Sequence, residues 1–83
     1  MGTLYKEAFP VGSRVRVVSR LALEAFSRDW KFHHPLESVQ MNYAGTAATV
    51  MKVGFYHGGD SLYILENLPG IWHEQCLESV LEL

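Results

Sequence analysis

His73 and Cys76 stand three residues apart, and His33, His34 and His57 supply the other imidazoles, so metal ligation and a thiol nucleophile are the first chemistries to weigh. Structural zinc generally takes four ligands that include paired cysteines. This chain has a single cysteine and so no Cys-x-x-Cys pair, which leaves no metal site to expect, and Cys76 reads as a small, buried apolar side chain. A Cys-His nucleophile would also need an orienting group and an oxyanion hole, and no local signature of either accompanies His73 and Cys76. Gly58-Gly59 is followed by neither a lysine nor a helix start, so it reads as a hairpin turn and not as a phosphate loop. Asp60, Glu66 and Glu74 form no acid-base pair; they read as solvated loop charges, with Glu74 a candidate cap for the last turn. A non-catalytic protein without a cofactor is the expectation.

The aromatic residues offer a different chemistry. Trp30, Tyr43, Phe55, Tyr56, Tyr63 and Trp72 are many for a chain of 83 residues, and an aromatic-lined groove is how small β modules hold extended peptides. A small β domain also needs bulky side chains inside. Tyr63, alternating with Leu62 and Ile64, is assigned to the core. Trp30, Tyr43 and Trp72 are assigned to a peptide-binding cleft, because Trp30 falls in a long loop and Trp72 follows a Pro-Gly turn.

The elements that must position them begin with Tyr43–Leu65, which reads as one β-hairpin. Two runs rich in Val, Thr, Tyr, Phe and Ile flank Gly58-Gly59-Asp60, and glycine supplies the positive φ that tight turns demand. A lone hairpin is marginal in water, so flanking strands must complete it. Pro10 and Gly12 mark an opening turn before a strand from Arg14 to Ser19, with Val15 and Val17 on one face and Arg14 and Arg16 solvated on the other. From Arg20 to Asn42 the alternation is lost. Leu21, Phe26 and Trp30 lie at roughly helical spacing, which predicts one or two turns between Leu21 and Ser27. Pro35 then ends any helix and pushes His34 towards extended geometry. This insert, with Trp30, Phe32, His33 and His34, is the candidate wall of a cleft. Asn67-Leu68-Pro69-Gly70 predicts a type II turn, followed by a short strand through Ile71 and Trp72, a tight turn at His73-Glu74-Gln75 and a last strand from Leu77 to Leu81.

Strands starting at Arg14, Thr46, Ser61, Ile71 and Leu77 make an all-β list of five, joined mostly by tight turns. A small barrel removes the exposed edges of such a sheet. The whole chain, 1–83, is expected to be one domain with its core over about residues 9–81. An apolar content of 48% and a charged content of 19% belong to a folded protein, and a net charge of −2 gives no electrostatic reason to expect nucleic acid. No run approaches the roughly 18 apolar residues of a membrane span. The start, MGTLYKEAFPVG, lacks the apolar core of a secretory signal, and Lys6 stands where a myristoylation pattern wants Ser or Thr. One cysteine suits a reducing compartment, so a cytoplasmic setting is expected.

The run Val11-Gly12-Ser13-Arg14-Val15-Arg16-Val17, then Trp30, then Met41-Asn42-Tyr43-Ala44-Gly45-Thr46 leading to Thr49-Val50, then Trp72 and Leu77, resembles the SH3-like repeat of mind bomb ubiquitin ligases. More distantly it is similar to the SH3-like domain of the nitrile hydratase β-subunit. The resemblance covers nearly the whole chain. Thr46 and Ala48 stand where the family has a lysine and a second glycine, and the RING domains and ankyrin repeats of those ligases have no counterpart here. It implies a five-stranded SH3-like barrel, with a long, partly helical insert after the first strand, that holds short peptides between its loops. Two other readings stay open: a structural or accessory subunit that homo-oligomerises through Val80-Leu81-Glu82-Leu83 or an open edge, and an enzyme using His73 and Cys76.

Overall fold

A computed structural model describes residues 8–56 and 59–80. The alternation of the first apolar run produces strand β1, Arg14–Val17, in which Val15 and Val17 are fully buried while Arg14 and Arg16 face solvent. β2 spans Ala47–Phe55, β3 Ser61–Leu65, β4 Trp72–His73 and β5 Leu77–Ser79. All pairings are antiparallel, in the order β4-β3-β2-β1-β5. Each strand begins within one residue of its expected start.

A register shift between Val50 and Lys52 leaves Met51 exposed and interrupts the β2–β3 ladder, the geometry by which a bulge bends a sheet. β4 and β5 are the outer strands, joined by one 3₁₀ turn, Glu74–Cys76. Among the described residues no ladder closes β4 onto β5. The expected barrel is therefore met at the level of five antiparallel strands in an open sheet. β5 ends at Ser79; Leu81, where the last strand was expected to end, lies outside the described residues, as does the tail beyond Val80.

The insert opens with helix α1, Arg20–Asp29, longer than the one or two turns predicted. Ser19 caps it, its hydroxyl oxygen accepting from the Ala22 N–H at 3.2 Å. The spacing argument chose the wrong leucine: Leu23 and Phe26 are buried, while Leu21 is 78% exposed. Leu23, Phe26 and Trp30, at i, i+3 and i+7, form the stripe that meets the sheet. A 3₁₀ segment, Ser38–Tyr43, which no apolar pattern foretells, then leads into β2. Its buried Gln40 accepts from the Glu37 N–H at 2.8 Å and donates to the Ile71 carbonyl at 3.1 Å, tying the insert to the β3–β4 connection. The hydrogen-bonded turn after β3 comes earlier than expected, the Leu68 N–H donating to the Leu65 carbonyl at 3.3 Å with Asn67 at φ +67; Gly70 is a bend at φ +82, and a Cβ there would stand 2.9 Å from Gln40 Nε2.

The insert starts and finishes at one place. The Val17 N–H donates to the Thr46 carbonyl and the Gly45 N–H to the Val17 carbonyl, both at 2.9 Å. Gly12, at φ +94, releases the opening turn as expected. The β2–β3 connection is closed by Tyr56 N–H to Asp60 O and Gly59 N–H to Tyr56 O, both 2.9 Å, with Gly59 at φ +96; Gly58 lies outside the described residues, as does His57. The core joins Val15, Val17, Leu23, Phe26, Ala48, Val50, Tyr63, Leu65, Trp72, Cys76 and Leu77. Tyr63 is core, as assigned, and its hydroxyl oxygen accepts from the Ala8 N–H at 3.1 Å. Among the described residues no helix is long and apolar enough to cross a membrane.

Candidate functional site

Where α1 ends, the Trp30 N–H still donates to the Phe26 carbonyl at 2.8 Å, and the two rings stack at 5.3 Å and 16°. The chain then turns back over the tip of the β2–β3 hairpin. Polar contacts hold it there. The Trp30 indole N–H donates to the His33 carbonyl at 2.7 Å, His33 Nε2 lies 3.0 Å from Asp60 Oδ2, and His73 Nε2 lies 2.8 Å from the His34 carbonyl. The His33 ring also stacks on Tyr56, with centroids 3.6 Å apart and 14° between planes.

These partners dictate tautomers. A carboxylate and a carbonyl can only accept, so His33 Nε2 and His73 Nε2 carry the protons. A neutral His33 then has a lone pair on Nδ1, and His34 Nδ1, 2.9 Å away, must donate to it. The result is a directed chain from His34 through His33 to Asp60. His34 itself has φ +49, a left-handed conformation that a residue before proline was not expected to adopt and that costs energy for any side chain bearing a Cβ. The His73 bond to its carbonyl helps hold it there.

His73 is 3% exposed. Burial lowers its pKa below the ordinary histidine value; His33 and His34 push the same way, while the His34 carbonyl and Asp60 oppose. The neutral form fits the bond it makes.

Of the hollows that Trp30 borders, two reach the hairpin tip. One, of about 490 Å³, is lined by Trp30, Phe32, His33, Tyr56 and Asp60. The other, of about 250 Å³, is lined by Trp30, Gly59, Asp60, Ser61, His73, Glu74 and Gln75. They share Trp30 and Asp60. A third, mainly apolar groove of about 290 Å³ runs along Val53, Phe55, Leu62, Ile64 and Ile71, with Tyr56 as the wall it shares with the first.

The structure does not bring the three expected cleft residues together. Trp30 is half-buried and borders both hollows. Tyr43, at the end of its 3₁₀ segment, is half-buried against the core and lines neither. Trp72 is a correction: it is fully buried, paired with Tyr63 across β3–β4, and presents no ring surface to a ligand. Its indole nitrogen is buried without a hydrogen-bond partner among the described residues. The insert does form one wall, as its aromatic density suggested. Tyr56 and Asp60, on the hairpin tip, form the other.

Cys76 is fully buried, and burial pushes its thiol up to about 12 despite a hydrogen bond to the His73 backbone. Almost none is thiolate at neutral pH, so Cys76 offers no accessible nucleophile. Among the described residues no three His, Cys, Asp or Glu side chains are grouped to hold a metal ion. Compared with known proteins, the chain matches no family model, no curated protein and no solved structure.

Proposed function

We propose that this protein is a non-catalytic peptide-binding module of SH3-like barrel type, with the peptide lying between the insert and the tip of the β2–β3 hairpin. The mind bomb repeat resemblance belongs to the same reading, supported by the five-stranded antiparallel order and the 3₁₀ turn before the last strand. The observation that carries it is the groove of Trp30, Phe32, His33, Tyr56 and Asp60. There Phe32 is 70% exposed on a loop that hydrogen bonds hold in place. A preformed groove avoids the entropy cost of ordering a loop on binding, and aromatic walls with a few placed polar groups are the usual make-up of such sites. NMR titration with a peptide library tests it. Shifts should cluster on the Trp30 indole N–H and on the amides of Phe32, His33, Tyr56 and Asp60. Shifts confined to Leu62, Ile64 and Ile71, or absent for every peptide, overturn the placement.

A structural or accessory role is the second reading, and the two outer strands favour it. β4 and β5 each pair on one side only among the described residues, and such edges can accept a strand from a second copy. Light scattering decides this one: a strict monomer at high concentration removes self-association.

A further inference from the structure

We propose that the outer face of β2, β3 and β4 is a self-association surface, on which a second copy of this chain docks about a two-fold axis with Lys52 of each copy against the partner's Glu37. The surface is separate from the peptide groove. Its two hollows share only Tyr56 with that groove, and no residue of the 3₁₀ turn Glu74–Cys76 borders either of them.

The strand registers build this face. Lys52 stands opposite Ile64, and Leu62 opposite His73, so Ile71 is the next neighbour of Ile64 across β3 and β4. Paired side chains share a face, and this one is the reverse of the face that buries Tyr63 and Trp72. The row Lys52, Ile64, Ile71 continues onto the insert, because Gln40 donates to the Ile71 carbonyl and brings Leu36 and Glu37 alongside. Two hollows, of about 290 and 330 Å³, follow the row and meet at His34 and Ile71. The outward face of an antiparallel sheet is ordinarily polar, as it is on β1 with Arg14 and Arg16. On β3 and β4 that face carries Leu62, Ile64 and Ile71, each only half-buried.

The charges say what covers it. Lys52 is the only lysine, arginine, aspartate or glutamate lining the first hollow, and Glu37 the only one lining the second. Neither forms an ion pair among the described residues. An apolar middle with a cation at one end and an anion at the other is complementary to itself. A two-fold axis across the middle turns one row end for end over the other, so Lys52 meets the partner's Glu37 twice while the isoleucines pack on their own copies. The same rotation carries Phe55, 38% exposed in the first hollow, towards the partner's Pro35–Leu36 end. A partner of unrelated sequence would have to be matched at both ends; a second copy already is.

The test is sedimentation equilibrium of the full chain, with amide shifts on dilution to locate the contact. The chain should dimerise, and the shifts should fall on Lys52, Ile64 and Ile71 and not on the Trp30 indole N–H. Lys52→Glu and Glu37→Lys, both at exposed positions, should each weaken the dimer about tenfold or more, since each places two like-charged pairs in the interface. An equimolar mixture of the two variants should dimerise as the wild type does, because one copy then brings glutamate at both ends and the other lysine at both; that rescue also shows that both variants fold. A strict monomer at high concentration overturns the proposal. A dimer that neither reversal weakens, or that the mixture fails to restore, assigns association to other surfaces and overturns it as well. Peptide shifts on Trp30 judge the groove separately, so either reading can fail without the other.

Discussion

The Nδ1 atoms of His33 and His34 lie 2.9 Å apart, and one proton occupies the space between them. Two would not fit. The contact needs one ring to donate and the other to accept. His34→Ala removes it and should loosen the segment that carries Trp30 and Phe32, read as faster hydrogen exchange at the Trp30 and His33 amides than in the wild type; unchanged exchange in the variant counts against a holding role for the pair.

His73 gives a dependence on pH with a definite sign. Its folded pKa is depressed below the ordinary 6.5, so the unfolded chain binds the proton more readily. The stabilising contribution is complete above the unfolded value and is lost as pH falls from there through the folded value. Urea denaturation should show stability declining as the pH is lowered through about 6.5. His73→Gln, which retains a donor for the His34 carbonyl, should flatten that part of the curve. A wild-type profile already flat there would mean that His73 is not held neutral.

Cys76 should behave as an inert core residue. With its thiol pushed up to about 12 and no exposed surface, it should resist a disulfide reagent in the native state and react at once in denaturant. Fast native labelling would reopen the question of a thiol at work in this protein.

Gln40 and Gly70 form a coupled pair. Gln40→Ala leaves the Glu37 N–H and the Ile71 carbonyl without their partner and should cost about 1–3 kcal/mol. Gly70→Ala meets both a positive φ and the Gln40 amide, and should cost a similar about 1–3 kcal/mol. Because the clash requires the glutamine, the double variant should lose less than the sum of the two. Strict additivity, measured by denaturant unfolding, would show that the Gln40 contact is not what restricts Gly70.

The two tryptophans should separate cleanly. Trp72→Ala empties the centre of the core and should cost about 3–5 kcal/mol, whereas Trp72→Phe loses less, since it also removes an indole N–H that has no partner. Trp30→Ala, at a half-buried position beside the groove, should remove peptide binding with a smaller stability loss. If Trp72→Phe impairs binding while leaving the fold intact, the core placement of Trp72 is overturned.

How far the sequence could be read follows from where each signal resides. The strands were legible because Val15 and Val17 alternate with Arg14 and Arg16, and because Gly12 and Gly70 sit where positive φ is required; burial and turn chemistry are written locally. The choice of Leu21 over Leu23 failed because both fit a short helical pattern, and only the docked face of α1 distinguishes them. Ser38–Tyr43 was missed since its one buried residue is a glutamine, with no apolar period to reveal it. Trp72 was misplaced because a tryptophan after a turn looks the same in a cleft as in a core; the register opposite Tyr63 decides. The site's other wall depends on contacts such as His33 to Asp60, 27 residues apart, which no local pattern encodes.

The hydrogen bonds joining Val17 to Gly45 and Thr46 make the excursion between β1 and β2 a closed loop hung from a fixed pair of pegs. Its helical arm is committed to the interior through Leu23 and Phe26, while the stretch between Trp30 and Glu37 is held by Leu36 against the core and by side-chain contacts to Asp60 and His73, outside the strand ladders. Doubling the length of such a loop costs only about 0.6 kcal/mol in closure entropy, so new side chains can be spliced in there without disturbing the strands. Under the proposed reading, what the groove recognises is thus a replaceable cartridge on a frame that stays put.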